Sequence, residues 1–153
     1  MQATARRLSV LSSTPCARRR LIRSVRPTSL LPMYGVAPEL SLGALHGSEI
    51  TQIAIDEHQI ILHFHPSGYI AVEGHWELHD EAGQILDSAQ DHSVREFYRL
   101  HVILSRPITS HVIHPPDSFA LLFDTGHRLT IYDSSDYYES CTIQLPDRPL
   151  IVI

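Results

Sequence analysis

The sequence predicts a mainly β fold of the α+β class. Two related antiparallel β-meander units form a curved sheet or partly open barrel, and one amphipathic helix (about residues 88–104) packs on it. Three observations predict this fold. Short apolar alternations begin at residue 45, a strand–glycine turn–strand pattern occurs twice, and one later stretch has helical spacing. A chain of 153 residues is long enough for one such domain, which we expect over residues 40–153.

Two hairpins are the clearest elements. Residues 60–72 read "IILHFHPSGYIAV" and residues 119–131 read "FALLFDTGHRLTI", each with apolar residues alternating on both sides of a turn. Gly68 and Gly126 lie in these turns, where a hairpin loop commonly needs a residue with positive φ.

The duplication extends upstream of the hairpins. The segment "EITQIAI" at residues 49–55 corresponds to "PITSHVI" at residues 107–113, and each enters its hairpin as an apolar strand. Two three-strand meanders that share one core are therefore predicted. The alternative, that any two β-hairpins look alike, stays open.

A fourth strand is predicted over residues 72–79, "VEGHWELH", before the chain turns at "DEAG" and returns through "QIL". Val72, Trp76 and Leu78 would share one face of this strand. The opposite face would carry a row of polar residues, namely Glu73, His75, Glu77 and His79.

The stretch "DSAQDHSVREFYRLHVIL" at residues 87–104 predicts the helix over about residues 88–104. Its apolar face would comprise Val94, Phe97, Tyr98, His101 and Leu104. Asp87 or Ser88 is a suitable N-cap, and such a helix would cover the curved sheet.

The C-terminal stretch predicts two further strands. One passes through Cys141 and Ile143, "LPDRP" makes a turn, and residues 150–153 form a terminal strand. We expect this apolar end to be paired or buried, because a bare apolar edge promotes aggregation.

The first 33 residues differ from the rest, with seven arginines, no acidic residue and no steady period. We expect a disordered or non-native basic leader here, with Met33 as the true start. An organellar transit peptide and a basic arm that binds nucleic acid are the alternatives.

The remaining 120 residues carry five arginines and all seventeen acidic residues, so their formal charge is -12. Such a charge repels nucleic acid and membrane surfaces and attracts a basic partner. No apolar stretch is long enough to span a membrane. The two cysteines, Cys16 and Cys141, predict no disulfide framework, which favours a reducing, cytoplasmic compartment.

Several chemistries are excluded by missing residues and motifs. The chain has no lysine for a Schiff base, and it contains no GxSxG elbow, phosphate-binding loop or dinucleotide fingerprint. We therefore predict no catalytic residue, no cofactor and no enzymatic activity.

Histidines provide the alternative prediction. His63 and His65 are two apart on one strand face, and His75 and His79 lie in the next polar row, a pattern used by metal sites on sheets. A metal-binding protein or metal-dependent hydrolase would use these four side chains. A solvated sheet face explains the same pattern.

Only the second hairpin is followed by a run of acids and tyrosines, "YDSSDYYES". Tyrosines beside carboxylates suit an interface with a cationic partner. We predict such an interface at Asp133, Asp136, Tyr137, Tyr138 and Glu139. The alternative is an ordinary turn built by short polar side chains.

The order of elements resembles a family of small uncharacterised bacterial proteins that contain a domain of unknown function. The motifs that carry the resemblance span residues 42–145. They comprise Leu45 and Gly47, Leu62, Phe64 and Gly68, Leu121, Phe123 and Gly126, and the pair Tyr138 and Glu139. Cys141 departs from the family, which often has an aromatic residue there.

The family has no established activity. Some similar small acidic proteins are immunity factors, which implies a stoichiometric inhibitor of a basic protein partner.

Overall fold

The computed structural model describes residues 35–94, 98–135 and 137–153. The predicted leader, residues 95–97 of the predicted helix, and Asp136 lie outside the described residues. The described chain is mainly β, and its strands are β1 (Glu49–Ile55), β2 (Ile60–His65), β3 (Tyr69–Val72), β4 (Trp76–His79), β5 (Ile85–Ala89), β6 (Ile108–His114), β7 (Ser118–Phe123), β8 (Arg128–Tyr132), β9 (Cys141–Gln144) and β10 (Ile151–Val152). Three short 3₁₀ helices accompany them, η1 (Gly43–Leu45), η2 (His92–Val94) and η3 (Leu100–Ile103).

The strands form two five-stranded antiparallel sheets that exchange strands between the halves of the chain. One sheet has the order β1-β2-β3-β9-β10, and the other has the order β5-β4-β8-β7-β6. Each sheet therefore contains the meander of one half and the closing hairpin of the other. The two meanders are confirmed, whereas two open sheets replace the single curved sheet or partly open barrel. The reason is that each half crosses to the opposite sheet after its third strand.

Both halves carry the same irregularity in their first strand. β1 has a one-residue bulge at Thr51, and β6 has one at Thr109. At each bulge the threonine hydroxyl donates to a carbonyl of the next strand, over 3.3 Å to His63 and over 3.2 Å to Leu122. A bulge locally increases the twist of its strand. The first strands of the two meanders therefore share an increased twist at equivalent positions.

Reciprocal backbone hydrogen bonds join the two halves. The Gly47 amide donates to the Ile108 carbonyl over 2.8 Å, and the Ser105 amide donates to the Ile50 carbonyl over 2.8 Å. Gly47 and Ser105 both have positive φ, at 81° and 55°. Bonds repeated in this way indicate an approximate two-fold relation between the halves, as in an isologous interface.

The duplication begins before the first strand of each half. η1 buries Leu42 and Leu45 at its ends, and η3 buries Leu100 and Ile103 in the same way. Each 3₁₀ turn thus places two apolar side chains three residues apart in the core ahead of a bulged strand.

The two hairpin turns have equal length but place their glycines differently. The Phe64 amide donates to the Gly68 carbonyl over 3.0 Å, and the Phe123 amide donates to the His127 carbonyl over 3.0 Å. The residue that corresponds to Gly68 is therefore His127, and Gly126 lies one position earlier in its turn.

The predicted helix over residues 88–104 is wrong for the described part of that stretch. β5 continues to Ala89, which pairs with Trp76, and the later residues form only η2 and η3. The predicted apolar face of this helix is also wrong, because Leu100 is buried while His101 is exposed. Pairing with β4 and burial of η3 override the helical spacing of the sequence.

The predicted fourth strand over residues 72–79 is also corrected. Val72 ends β3 in one sheet, and Trp76 begins β4 in the other, so residues 73–75 form the crossover between sheets. The expected polar row is consequently divided, and only Glu77 and His79 of it lie on β4.

One hydrophobic cluster serves both sheets. Its fully buried large side chains include Trp76 of one sheet and Ile60 of the other. The terminal strand is paired as expected, since Ile151 lies opposite Ile143. Among the described residues, no helix has the length and apolar character needed to cross a membrane.

Candidate functional site

The two crossovers between the sheets differ in length. Val72 pairs with Cys141 and Ile131 pairs with Trp76, so these residues occupy equivalent places at the crossovers. Three residues separate Val72 from Trp76, whereas nine separate Ile131 from Cys141. The second crossover is therefore six residues longer, and the additional length carries the acids and tyrosines of "YDSSDYYES".

The crossovers pass against each other through reciprocal bonds. The Glu73 amide donates to the Ser140 carbonyl over 3.1 Å, and the Tyr132 amide donates to the His75 carbonyl over 2.9 Å. Gly74 has no room for a side chain here, because an added Cβ would lie 2.9 Å from the Ser140 Cβ. The close approach fixes both crossovers in position.

The longer crossover is held in shape by hydroxyl groups. The buried Ser140 hydroxyl donates to Asp133 Oδ1 over 2.8 Å, and the Ser135 hydroxyl accepts from the Tyr137 and Tyr138 amides over 3.2 and 2.9 Å. These are ordinary turn interactions. They leave the side chains of both tyrosines exposed, at 81% for Tyr137 and 78% for Tyr138.

Beside this crossover lies a cleft of about 460 Å³. Four separate segments form it, and its lining residues are Glu57, His58, Glu73, Gly74, Gln90, Asp91, His92, Ser134, Ser135, Tyr138, Glu139 and Ser140. We call it the crossover cleft.

The crossover cleft is acidic. Glu57, Glu73, Asp91 and Glu139 each contribute a carboxylate from a different segment, and no arginine of the described chain lines it. The Ser93 hydroxyl and amide donate to Asp91 and lower the pKa of its carboxyl group, because these hydrogen bonds stabilise the ionised form. The cleft therefore favours a cation.

His92 forms a buried part of the wall. It is 6% exposed, and its Nε2 lies 3.1 Å from the Gly74 carbonyl oxygen. A carbonyl oxygen only accepts, so Nε2 must carry the hydrogen. Nδ1 is buried and has no hydrogen-bond partner among the described residues.

The predicted partner-binding residues have three different positions. Tyr138 and Glu139 line the crossover cleft, and Tyr137 is exposed outside it. Asp133 instead accepts from Ser140 and helps to build the crossover. Asp136 lies outside the described residues.

The four histidines of the metal prediction are divided between the sheets. His63 and His65 lie on β2, while His75 and His79 lie before and on β4 of the other sheet. β2 and β4 are not neighbours, so the structure does not bring the two pairs together. In the described ranges, no three His, Cys, Asp or Glu side chains are grouped so as to hold a metal ion.

His75 and His79 instead flank Glu77. The Nε2 atom of each histidine lies 3.5 Å from one oxygen of that carboxylate, and the Tyr132 hydroxyl donates to it over 2.8 Å. Burial and then the Glu77 hydrogen bond raise the pKa of Tyr132. His75 also stacks on the Tyr132 ring, with centroids 4.5 Å apart.

Cys141 lies buried on β9. Burial, and to a lesser degree the charge of Glu73, raises the pKa of its thiol well above the ordinary value. The reactive thiolate is thus disfavoured.

A histidine pair joins η1 to β6. His111 Nδ1 lies 2.7 Å from His46 Nε2, and His111 Nε2 accepts from the Leu42 amide over 3.4 Å. Burial, followed by the neighbouring His46, lowers the pKa of His111 below its ordinary 6.5. The folded state therefore binds a proton at His111 less readily than the unfolded chain.

This pair predicts a pH-dependent contribution to stability. The contribution is complete above about pH 6.5 and is lost as the pH falls through the lowered pKa of His111. We expect His111→Ile to reduce the loss of unfolding free energy between about pH 7.5 and 5.5, measured by urea denaturation. His114→Asn on the same strand is the control and should retain the wild-type dependence. Identical profiles for wild type and His111→Ile would contradict the prediction.

Most residues of the crossover cleft were not predicted from the sequence. Glu57 and His58 come from a turn, and Asp91 and His92 follow β5. Glu73, which the sequence predicts to lie on a strand, belongs to the shorter crossover. The unequal spacing between the third and fourth strands of the two repeats was the available signal.

No family model matches the sequence, and neither a curated protein nor a solved structure matches the chain. The resemblance to the family of small uncharacterised bacterial proteins therefore stays a prediction.

Proposed function

We propose that this chain is a small acidic binding protein that captures a basic protein partner at the crossover cleft. Its action would be stoichiometric inhibition of the immunity type, without catalysis. The observation that carries the proposal is the difference between the two crossovers. The shorter one connects equivalent strands with three residues, so the fold does not need the six additional residues of the longer one.

The additional residues have the composition of an interface. Tyr138 supplies an exposed aromatic ring at the cleft, and Glu139 adds a carboxylate beside it. Aromatic rings provide large contact areas, and a group of negatively charged carboxylates increases the rate at which a cationic partner associates.

The charge of the cleft supports a cationic partner. Glu73, Asp91 and Glu139 form no ion pair with any described residue. A partner that inserts a cationic side chain would thus meet carboxylates that no described residue neutralises.

Charge reversal in the cleft tests the proposal. We expect the protein to bind a short peptide with equal numbers of arginine and lysine residues. The affinity should fall between about 50 and 200 mM salt because screening weakens the attraction. Glu73→Lys combined with Glu139→Lys should weaken binding by at least about tenfold, measured by isothermal titration calorimetry.

A matched variant separates the cleft from net charge. Glu81→Lys combined with Asp124→Lys makes the same change in charge at exposed residues outside the cleft. This control should lose less than about threefold in affinity. Equal losses in the two variants, or no binding of the peptide by the wild type, would overturn the proposal.

A further inference from the structure

We propose that the His46 and His111 side chains form a pH-sensitive switch, which holds η1 against β6 at neutral pH and releases η1 when the pair takes up one proton. Neither side chain lines the crossover cleft, so the switch is independent of the proposed capture of a partner. Its basis is a chain of hydrogen bonds that leaves no position for another hydrogen.

The hydrogen-bond partners of the pair fix where each ring carries its hydrogen. His111 Nε2 accepts from the Leu42 amide over 3.4 Å, so this nitrogen holds a lone pair. In the neutral ring the hydrogen then lies on His111 Nδ1, which donates to His46 Nε2 over 2.7 Å. Because His46 Nε2 accepts, the hydrogen of the neutral His46 ring lies on its own Nδ1. The hydrogen bonds therefore all run in one direction, from the Leu42 amide through His111 to His46.

An additional proton breaks this chain wherever it binds. On His46 Nε2 it would oppose the Nδ1–H group of His111, so that two donors face each other over 2.7 Å. On His111 Nε2 it would oppose the Leu42 amide in the same way. If His46 donates from Nε2 to His111 Nδ1 instead, the hydrogen of His111 must move to its Nε2, and the Leu42 amide again loses its acceptor.

The Leu42 amide is the point where the switch acts on η1. Leu42 immediately precedes η1, and its side chain is fully buried. A buried amide without an acceptor is costly, so protonation favours an open state in which this amide reaches water. Opening would also expose Leu45, the buried residue at the other end of η1.

The direction of the pH response follows from the pair itself. His46 is the titratable group that faces His111, since Leu121 lies opposite it on β7 and η1 has the sequence Gly-Ala-Leu. Burial and then His46 lower the pKa of His111 from 6.5. The closed state is therefore favoured above about pH 6.5 and is lost as the pH falls through the lowered pKa.

The equivalent junction in the other half has no histidine pair. The reciprocal backbone bonds and the two bulges align the halves, so that His46 corresponds to Leu104 and His111 corresponds to Ile53. Both apolar side chains pack against the core. The fold thus holds η3 against β1 with apolar side chains at these positions, and it does not need ionisable groups there.

Amide hydrogen exchange of the full chain, followed by NMR, tests the release. The His46 amide donates to Gly43 over 3.1 Å in η1, and the equivalent Leu104 amide donates to His101 over 3.2 Å in η3. Between about pH 7.5 and 5, the protection factor of the His46 amide should fall at least about fivefold more than that of the Leu104 amide. Equal changes at the two amides would overturn the switch, because they would indicate opening of the whole domain.

A double substitution takes its side chains from the equivalent junction. His46→Leu combined with His111→Ile removes the site of protonation, so the protection of the two amides should differ by less than about twofold in its response to pH. His114→Asn on the same strand should retain the wild-type response. A wild-type response in the double variant would also overturn the proposal.

The ring nitrogens of the wild type test the hydrogen positions without any change to the core. At about pH 7.5, long-range ¹H–¹⁵N spectra should show a hydrogen on His111 Nδ1 and none on Nε2. The resonances are assigned by their absence from the spectrum of His111→Ile. A hydrogen on His111 Nε2 at this pH would exclude the bond from Leu42 and overturn the switch.

Discussion

Trp76→Ala is expected to lower the free energy of unfolding by about 4 kcal/mol, because it deletes a large side chain from the shared core. Trp76 is fully buried on β4, between Ala89 of β5 and Ile131 of β8. Its ring stacks on Tyr98, with centroids 6.4 Å apart. The substitution would leave a cavity in the sheet β5-β4-β8-β7-β6, where β4 of the first half pairs with β8 of the second half. Urea denaturation followed by far-ultraviolet circular dichroism measures the loss. Tryptophan fluorescence cannot be used for the variant, because Trp76 is the only tryptophan in the sequence.

The pseudo-symmetric position provides the control for this prediction. Cys141 of β9 is equivalent to Trp76 and is 2% exposed, but its side chain is much smaller. Cys141→Ala should therefore cost only about 1 kcal/mol. A cost below about 2 kcal/mol for Trp76→Ala would show that this side chain does not support the core as described.

Gly68→Ala is expected to destabilise the protein by about 3 kcal/mol, through backbone strain and a steric clash together. Gly68 has a φ of 107°, and an added Cβ would lie 2.7 Å from the carbonyl oxygen of Gln144. Gln144 belongs to β9, the strand that the second half contributes to this sheet. Relief of the clash would displace that strand and weaken the exchange between the halves.

Gly83→Ala isolates the strain from the clash. Gly83 also has positive φ, at 80°, but nothing lies within 4 Å of an added Cβ there. Its substitution should cost about 1 kcal/mol, measured by the same urea denaturation. Equal costs at Gly68 and Gly83 would contradict the close approach of β9 to the first hairpin.

The sequence predicted the hairpins well because their signals are local. Alternation along residues 60–72 and 119–131 sets which side chains face the core, and each loop has the length and glycine content of a turn. The match between residues 49–55 and 107–113 likewise survives in the structure, down to a bulge at Thr51 and Thr109.

The helix prediction failed because spacing along the chain competes with pairing across space. Ala89 pairs with Trp76 on the neighbouring strand, and η3 has the same arrangement as η1, with Leu100 and Ile103 buried. The apolar spacing of η1 is repeated at η3 in the sequence, but the helical period of the surrounding apolar residues obscured this repeat.

For the candidate site, the sequence by itself determined the composition, and the tertiary structure decided the arrangement. "YDSSDYYES" was recognisable as an acidic, tyrosine-rich departure from the first repeat. Only the fold brings Glu57, Glu73 and Asp91 to the same cleft and buries His92 in its wall. The physical reason is that a period of two specifies which face of a strand is buried but not which strand lies beside it. The exchange of strands between the halves depends on contacts between residues far apart in the chain.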